Sequence, residues 1–308
     1  MRKVFVWILC ALLLSGCAPA ATAGDGYTFT DDTGVEVTVA KKPEKVAVLL
    51  SSLADLWITA GGEVAITVGE SLERGFVEET AVLVDAGAGK TINLEGLIAA
   101  EPDLVIFSAD LSGQLECADT LRSLGIPTAG FHVETFGDYL RVLEICTEIL
   151  GTPERYARYG TQLQAQVAEI LSASQARSDA PEILFVRAGS SAKVTKAKNA
   201  GNHFVCAMLQ ELGAVNIADK APILLDGLST EEILISDPDF ILFTTMGDES
   251  AGQAYMESLL SDPVWQTLTS VREGRVYQLP KELFQYKPNA RWGEAYAYLS
   301  TLIYGDNL

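Results

Sequence analysis

The sequence predicts an α/β protein of two lobes, each built on a mostly parallel sheet. Three observations carry that expectation. From residue 46 onward, short continuous apolar runs of the kind buried on both faces of a parallel sheet alternate with stretches of helical periodicity. One phrase occurs twice: residues 93–107, running from Asn93-Leu94-Glu95 through Pro102-Asp103 to Phe107, align without a gap to residues 229–243, from Ser229-Thr230-Glu231 through Pro238-Asp239 to Phe243. Between the copies lies a long polar-rich helical pattern, from Thr152-Pro153-Glu154 to about Arg177. A chain of 308 residues, 48% of them hydrophobic, can fill one large core or two of ordinary size, and the repeat favours two.

In chain order, Tyr27-Thr28-Phe29-Thr30 and Val35-Glu36-Val37-Thr38-Val39 alternate in character about Asp31-Asp32-Thr33-Gly34, which predicts an opening hairpin. Residues Val46–Leu50, Val64–Val68, Leu104–Phe107 and Thr128–Phe131 read as buried strands, interleaved with helical patterns at Leu94–Ala100 and Leu115–Leu124. In each copy of the repeat a polar residue, Asn93 or Ser229, starts a short helix because its side-chain oxygen can take a free backbone N–H. Proline then ends the helix, since its ring disfavours helical geometry in the residue before it. Pro153 suits a first helical turn, where its missing N–H would be unpaired anyway. The stretch 153–177 is either a connector between lobes or one more packing helix of the first. Glu182–Arg187 opens the second lobe as a buried strand and Gly274–Leu279 ends its sheet. A loop rich in aromatics and charge and a helix from about Asn289 to Ile303 complete it. The expected boundaries are 27–152 for the first lobe, 153–177 for the connector and 178–308 for the second lobe.

Lys and Arg number 22 against 41 Asp and Glu, and a net charge of -19 repels phosphate backbones, so nucleic acid is not an expected partner. Only two histidines, His132 and His203, are present, which leaves little for His-based catalysis or for a cage around a bare metal ion. Neither a resident metal nor a cofactor is expected. Arg2 and Lys3 precede an apolar run from Val4 to Leu14, too short to span a bilayer and shaped like a secretory leader. The run closes with Leu14-Ser15-Gly16-Cys17, which resembles the lipobox of bacterial lipoproteins, where the cysteine is lipidated and becomes the new N-terminus. Residues 1–16 then form the signal peptide, Cys17 carries lipid, and the small polar residues to Gly26 are a tether. The protein is expected outside the cytoplasm, attached to the cell membrane through that lipid alone. An ordinary leader cut near Ala18-Pro19-Ala20-Ala21 is the alternative. Cys117, Cys146 and Cys206 remain, an odd number without C-x-x-C spacing, and read as buried free thiols, with a Cys117–Cys146 disulfide as the other option.

Two enzyme patterns fall short. Val84-Asp85-Ala86-Gly87-Ala88-Gly89-Lys90-Thr91 ends as a phosphate-binding loop ends, yet Val84 stands where the loop needs its first glycine to wrap phosphates. Gly89 and Lys90 read instead as a loop at a cleft edge. Ser51, Ser52 and His132 supply the groups of a serine hydrolase, but no serine sits in a G-x-S-x-G elbow. An exported α/β hydrolase remains the alternative by class.

The hairpin leading into Lys42-Pro43-Glu44-Lys45-Val46, the Asn93-Leu94-Glu95 to Glu101-Pro102-Asp103 phrase, the long connecting helix, and Gly274-Arg275-Val276-Tyr277 followed by Lys287-Pro288 and Arg291 look like one family. The chain resembles the ABC-importer substrate-binding proteins for iron-siderophores, haem and cobalamin, over nearly the whole mature length and in the same order. That resemblance implies two Rossmann-like lobes with mostly parallel sheets joined by one long linker helix, a ligand held between them, modest closure, and no catalysis. Its implied partners are a metal-chelate ligand (ferric siderophore first, then haem or cobalamin) and a dimeric permease served by a monomeric binding protein.

Ligands of parallel α/β lobes meet the loops at the carboxyl ends of strands, which selects Ser51, Ser52, Glu70, Ser71, Ser108 and Arg187, with Lys90 at the cleft edge. Large planar ligands also need aromatic walls, supplied here by Phe284 and Tyr286, beside Gln285 and Lys287. Arg291 opens the last helix, and a guanidinium can grip carboxylate or catecholate oxygens in pairs. Glu95 and Glu231 occupy the same place in the two copies, one per lobe, each early in a short helix. The resemblance implies that they reach arginines of the permease, a two-fold repeat meeting a two-fold transporter; simple helix capping is the other reading.

Overall fold

The computed structural model describes residues 26–85 and 91–305; the leader, Cys17 and Lys90 lie outside them. The opening hairpin pairs β1 (Gly26–Thr30) with β2 (Glu36–Ala40), Gly26 opposite Ala40. Its turn is organised by the Asp31 carboxylate, which accepts the backbone N–H groups of Thr33 and Val35 and the Thr33 hydroxyl. The same carboxylate accepts the Gly130 N–H at 2.8 Å and pairs with Arg122 at 3.0 Å, fixing the hairpin to the first sheet.

The first sheet holds β3 (Val46–Val48), β4 (Ile66–Thr67), β5 (Val82–Leu83), β6 (Leu104–Ser108) and β7 (Thr128–Phe131), all parallel, in the order β5-β4-β3-β6-β7. The second holds β8 (Glu182–Ala188), β9 (Lys196–Ala197), β10 (Val215–Asn216), β11 (Phe240–Thr245) and β12 (Val276–Gln278), in the order β10-β8-β11-β12, with β9 antiparallel beside β8. Strands β3, β6 and β11 are buried at every position, as continuous apolar runs between two helical layers must be. The first strand is shorter than its run, because Leu50 is extended and starts the helix Ser51–Thr59 directly.

The sequence repeat is a repeat of structure. Asn93 and Ser229 accept backbone N–H groups of Gly96 and Glu232 at the starts of the helices Leu94–Ala99 and Thr230–Ser236. Glu101 and Asp237, each just before the proline, both take left-handed geometry, with φ of 49° and 39°. Asp103 then accepts the N–H groups of Glu44 and Lys45 at the mouth of β3, and Asp239 accepts that of Glu182 at the mouth of β8. Strands β4-β3-β6-β7 and β10-β8-β11-β12 thereby occupy matching places.

Between the sheets the chain is helical from Pro153 to Gln175, in three consecutive pieces: Pro153–Tyr156, a π turn at Ala157–Thr161, and Gln162–Gln175. The sequence reading expects one uniform helix there; the π turn is new, and the Tyr159 carbonyl within it accepts the buried Tyr139 hydroxyl at 2.9 Å. Leu163, Val167 and Ile170 face the same core as the final helix, Trp292–Tyr304, and Ser174 meets Ser300 at 3.1 Å.

That core is continuous across both lobes. Trp292, fully buried, lies 5.8 Å from Phe136 of the first lobe, 5.7 Å from Phe204 of the second and 6.1 Å from Tyr296, measured between ring centres. Separate clusters fill the outer faces, one around Leu97, Phe107 and Leu121, the other around Leu184, Ile241 and Trp265. Cys117, Cys146 and Cys206 are free thiols, so the disulfide option is not realised. No helix among the described residues is long and apolar enough to cross a membrane.

Because Trp292 serves both lobes, Trp292→Ala is expected to cost about 3–5 kcal/mol. It should lower the stability of both lobes together in one urea transition, followed by circular dichroism and by the fluorescence of the remaining tryptophans.

Candidate ligand-binding cleft

The carboxyl ends of the first sheet converge on a cavity of about 260 Å³, closed on its far side by residues 285–289 of the second lobe. Leu50 and Ser52 come from the end of β3, Glu70 from beyond β4, Ser108 and Asp110 from β6, and Phe131, Val133 and Glu134 from β7. Gln285, Tyr286, Lys287 and Asn289 form the opposite wall. The floor is braced by buried Gln114, which accepts the Ser108 N–H at 2.8 Å and donates to the Leu49 carbonyl at 2.7 Å, clipping β6 to β3.

Ser51 is fully buried; its hydroxyl donates to the Glu70 carboxylate and accepts from Arg74 at 3.0 Å. The Arg74 guanidinium is sandwiched between two rings, 4.6 Å from Phe76 and 3.9 Å from Tyr286, so the aromatic wall is held by a cation from the other lobe. Lys281 approaches the same Tyr286 ring at 5.3 Å.

Two polar links cross the cleft. Lys287 pairs with Glu134 at 2.6 Å while its ammonium sits 4.4 Å over the Phe204 ring. Burial pulls the Lys287 pKa below the ordinary lysine value, against the opposing pull of Glu134. Asn289, left-handed with φ of 48°, donates to the Ser52 carbonyl at 2.7 Å and to Asp55 at 2.8 Å. Asparagine tolerates that geometry better than most residues. Burial raises the Asp55 pKa, and the Asn289 hydrogen bond works the other way.

Of the residues selected by sequence, Ser52, Glu70, Ser108, Gln285, Tyr286 and Lys287 line the cavity, Ser51 lies one hydrogen bond behind it, and Ser71 is buried against the Thr67 hydroxyl. Arg187, next to last in β8, is half-buried and outside the lining; burial lowers its pKa, and its Nε has no hydrogen-bond partner among the described residues. Phe284 belongs to the core, packed 5.3 Å from Tyr298, because residues 281–284 coil into a short helix that turns it inward. Arg291 points to the exposed side, where both its bonds of 2.7 Å go to Glu294, which also raises its pKa. Arg74, Asp110, Glu134 and Asn289 enter the site unannounced. The strand-end rule that chose Ser108 reaches Asp110 and Glu134 two or three residues further on, whereas nothing local marks Arg74 or Asn289.

Among the described residues neither histidine is hydrogen-bonded to a serine hydroxyl. His132, at the rim, is paired with Asp110 at 2.6 Å, which raises its pKa. His203 caps the helix Phe204–Glu211 by accepting the Val205 N–H and stacks on Phe204, 5.1 Å away.

A cavity at the strand ends of one sheet, closed by a loop of the second lobe and tied by side chains from both, is the arrangement of a two-lobe solute-binding protein. The chain belongs to the Periplasmic binding protein family, whose pattern it matches over residues 46–283. It is 21% identical to the uncharacterized ABC transporter substrate-binding lipoprotein YvrC of Bacillus subtilis, over 99% of this chain and 98% of that one. It is 24% identical to the Fe(3+)-citrate-binding protein YfmC of the same organism, over 90% and 88%. Its fold matches the periplasmic heme-binding protein RhuT from Roseiflexus sp. RS-1 with a TM-score of 0.69 at 20% identity, over 85% of this chain and 98% of that one. The resemblance read from the sequence, to substrate-binding proteins of ABC importers, is therefore correct at the level of family and fold.

Burial, then the charges of Lys287, Arg187 and Lys198, push the His203 pKa from 6.5 down to about 3. The unfolded chain therefore binds a proton that the folded one refuses, and the stability present above pH 6.5 is lost as pH falls from there toward about 3. His203→Asn keeps a capping acceptor without the titration. It should flatten the slope of urea stability against pH across that window, by up to about 1.4 kcal/mol per pH unit.

Proposed function

We propose that the protein is an extracytoplasmic lipoprotein, anchored through lipid on Cys17, that captures a ferric chelate in the interlobe cleft and delivers it to an ABC importer without transforming it. The carrying observation is the cavity itself, apolar at Leu50, Leu53, Phe131 and Val133 and edged by charge from both lobes. A small ligand is gripped by such a mixture, its body by apolar contact and its orientation by a few polar groups. Among the described residues no three His, Cys, Asp or Glu side chains come together in a way that could hold a metal ion, which favours a metal arriving already chelated over a bare ion. The ferric citrate named for one relative and the haem named for one structural neighbour support the same class. At about 260 Å³ the cavity is below the usual range of ligand pockets, so a compact ferric chelate suits this arrangement better than haem or cobalamin. The relatives are named as binding proteins, which supports capture over the hydrolase alternative.

In this reading residues 27–152 and 178–308 are the lobes and 153–177 the linker. Ser52, Ser108 and Tyr286 contact ligand, with Ser51 and Arg187 behind them; Lys90, outside the described residues, belongs to the same proposal, whereas the placement of Phe284 and Arg291 favours structural roles. Titration of the mature protein with ferric citrate, a ferric hydroxamate siderophore, haem and cobalamin should show one-to-one tryptophan quenching by a ferric chelate, with the ligand recovered unchanged. Binding of none of the four, or chemical conversion of the bound one, would overturn the reading.

Glu95 and Glu231 are exposed in the first turns of their helices, one per lobe, with no cation at ion-pair distance among the described residues. They are proposed as the contacts with a dimeric permease. Glu95→Arg with Glu231→Arg should leave chelate affinity unchanged in solution and abolish uptake in cells, since like charges across an interface cost several kcal/mol. Full uptake by that variant would leave helix capping as their role.

A further inference from the structure

The second-lobe side of the cleft gathers positive charge, in a chain whose net charge is -19. Arg187 stands at the end of β8, Lys198 just beyond β9 lies near enough for the two charges to oppose each other, and Lys287 comes from the wall loop. Against them the first lobe places one carboxylate in contact, Glu134, bound to Lys287 at 2.6 Å and near enough to act on Arg187. Partly desolvated cations require an anion beside them. Glu134 meets that need for Lys287, while among the described residues the buried Arg187 Nε has no acceptor.

We propose that the Glu134 carboxylate is an internal stand-in for an anionic group of the ligand, so that recognition exchanges one carboxylate for another on the Lys287 ammonium. The proposal rests on the ferric-chelate reading for its ligand, but its chemistry requires only an oxyanion. Three features make the exchange inexpensive. The Glu134 side chain is 34% exposed and can turn to water, while its backbone N–H stays on Asp138. The cations are already partly withdrawn from water before the ligand arrives, so the ligand does not bear that desolvation alone. A ligand carboxylate offers the Lys287 ammonium the same acceptor oxygens that Glu134 offers. The consequence is selectivity: a neutral ligand cannot replace the displaced carboxylate, whereas an anionic chelate can.

The test uses metal-free citrate as a simple tricarboxylate, with ferric citrate in parallel. Glu134→Gln keeps the size and removes the competing charge, and should tighten citrate binding about tenfold in calorimetry. Glu134→Asp, which keeps the charge but shortens the reach, should give a smaller gain, and Lys287→Gln should lose citrate binding. Equal or weaker citrate binding by Glu134→Gln, no citrate binding by either protein, or full affinity in Lys287→Gln would overturn the exchange. Tighter citrate binding by Glu134→Gln while neither protein takes ferric citrate would leave the exchange standing and remove the ferric-chelate reading instead.

Discussion

The contact of Trp292 with Phe136 on one side and Phe204 on the other is the joint on which the rest of the molecule depends. It makes the inner faces of the two sheets parts of one core rather than two. The shared core at this joint holds the two walls of the cleft facing each other. Little of the binding free energy is then consumed in ordering the site. The helix Gln162–Gln175 and the last helix, packed through Ser174 and Ser300, lie against the same core.

On that joint the two lobes use one frame for opposite electrostatic purposes. The frame is the same down to the aspartates that accept the N–H groups at the mouth of the first strand, Asp103 and Asp239. At the opposite, carboxyl ends the first lobe presents Glu70, Asp110 and Glu134, whereas the second presents Lys287, with Arg187 and Lys198 nearby. Opposed charge draws the walls together, while the aliphatic and aromatic groups between them keep the gap from becoming a solid ion-pair network.

Much of this frame is legible in the sequence because it rests on local rules. Apolar runs become buried strands, a polar residue three places before its partner N–H becomes a cap, and strand ends become ligand loops; Ser52 and Ser108 follow from these. What is not legible depends on which distant groups meet. Arg74 matters only because Tyr286 folds over it from the other lobe, and Asn289 only because Ser52 and Asp55 lie opposite. Phe284 and Tyr286, two residues apart, separate into core and cleft because a single helical turn rotates one of them inward. Arg291 is drawn off by Glu294 one turn along its own helix, a pairing visible in the spacing but outweighed by the expectation of an anionic ligand. The π turn in the linker has no composition signal at all.

The three thiols of the folded body have a consequence for handling and biogenesis. Cys146 and Cys206 are sealed in the core and Cys117 is half-covered, all unbridged. Burial raises the pKa of each, which suppresses the thiolate that oxidants and alkylating agents attack. The folded body is therefore the same covalent object in a reducing and in an oxidising compartment, and no slow disulfide pairing separates the translated chain from its final fold. Among the described residues no disulfide has to form, so a preparation in reducing buffer keeps these three thiols in the same state.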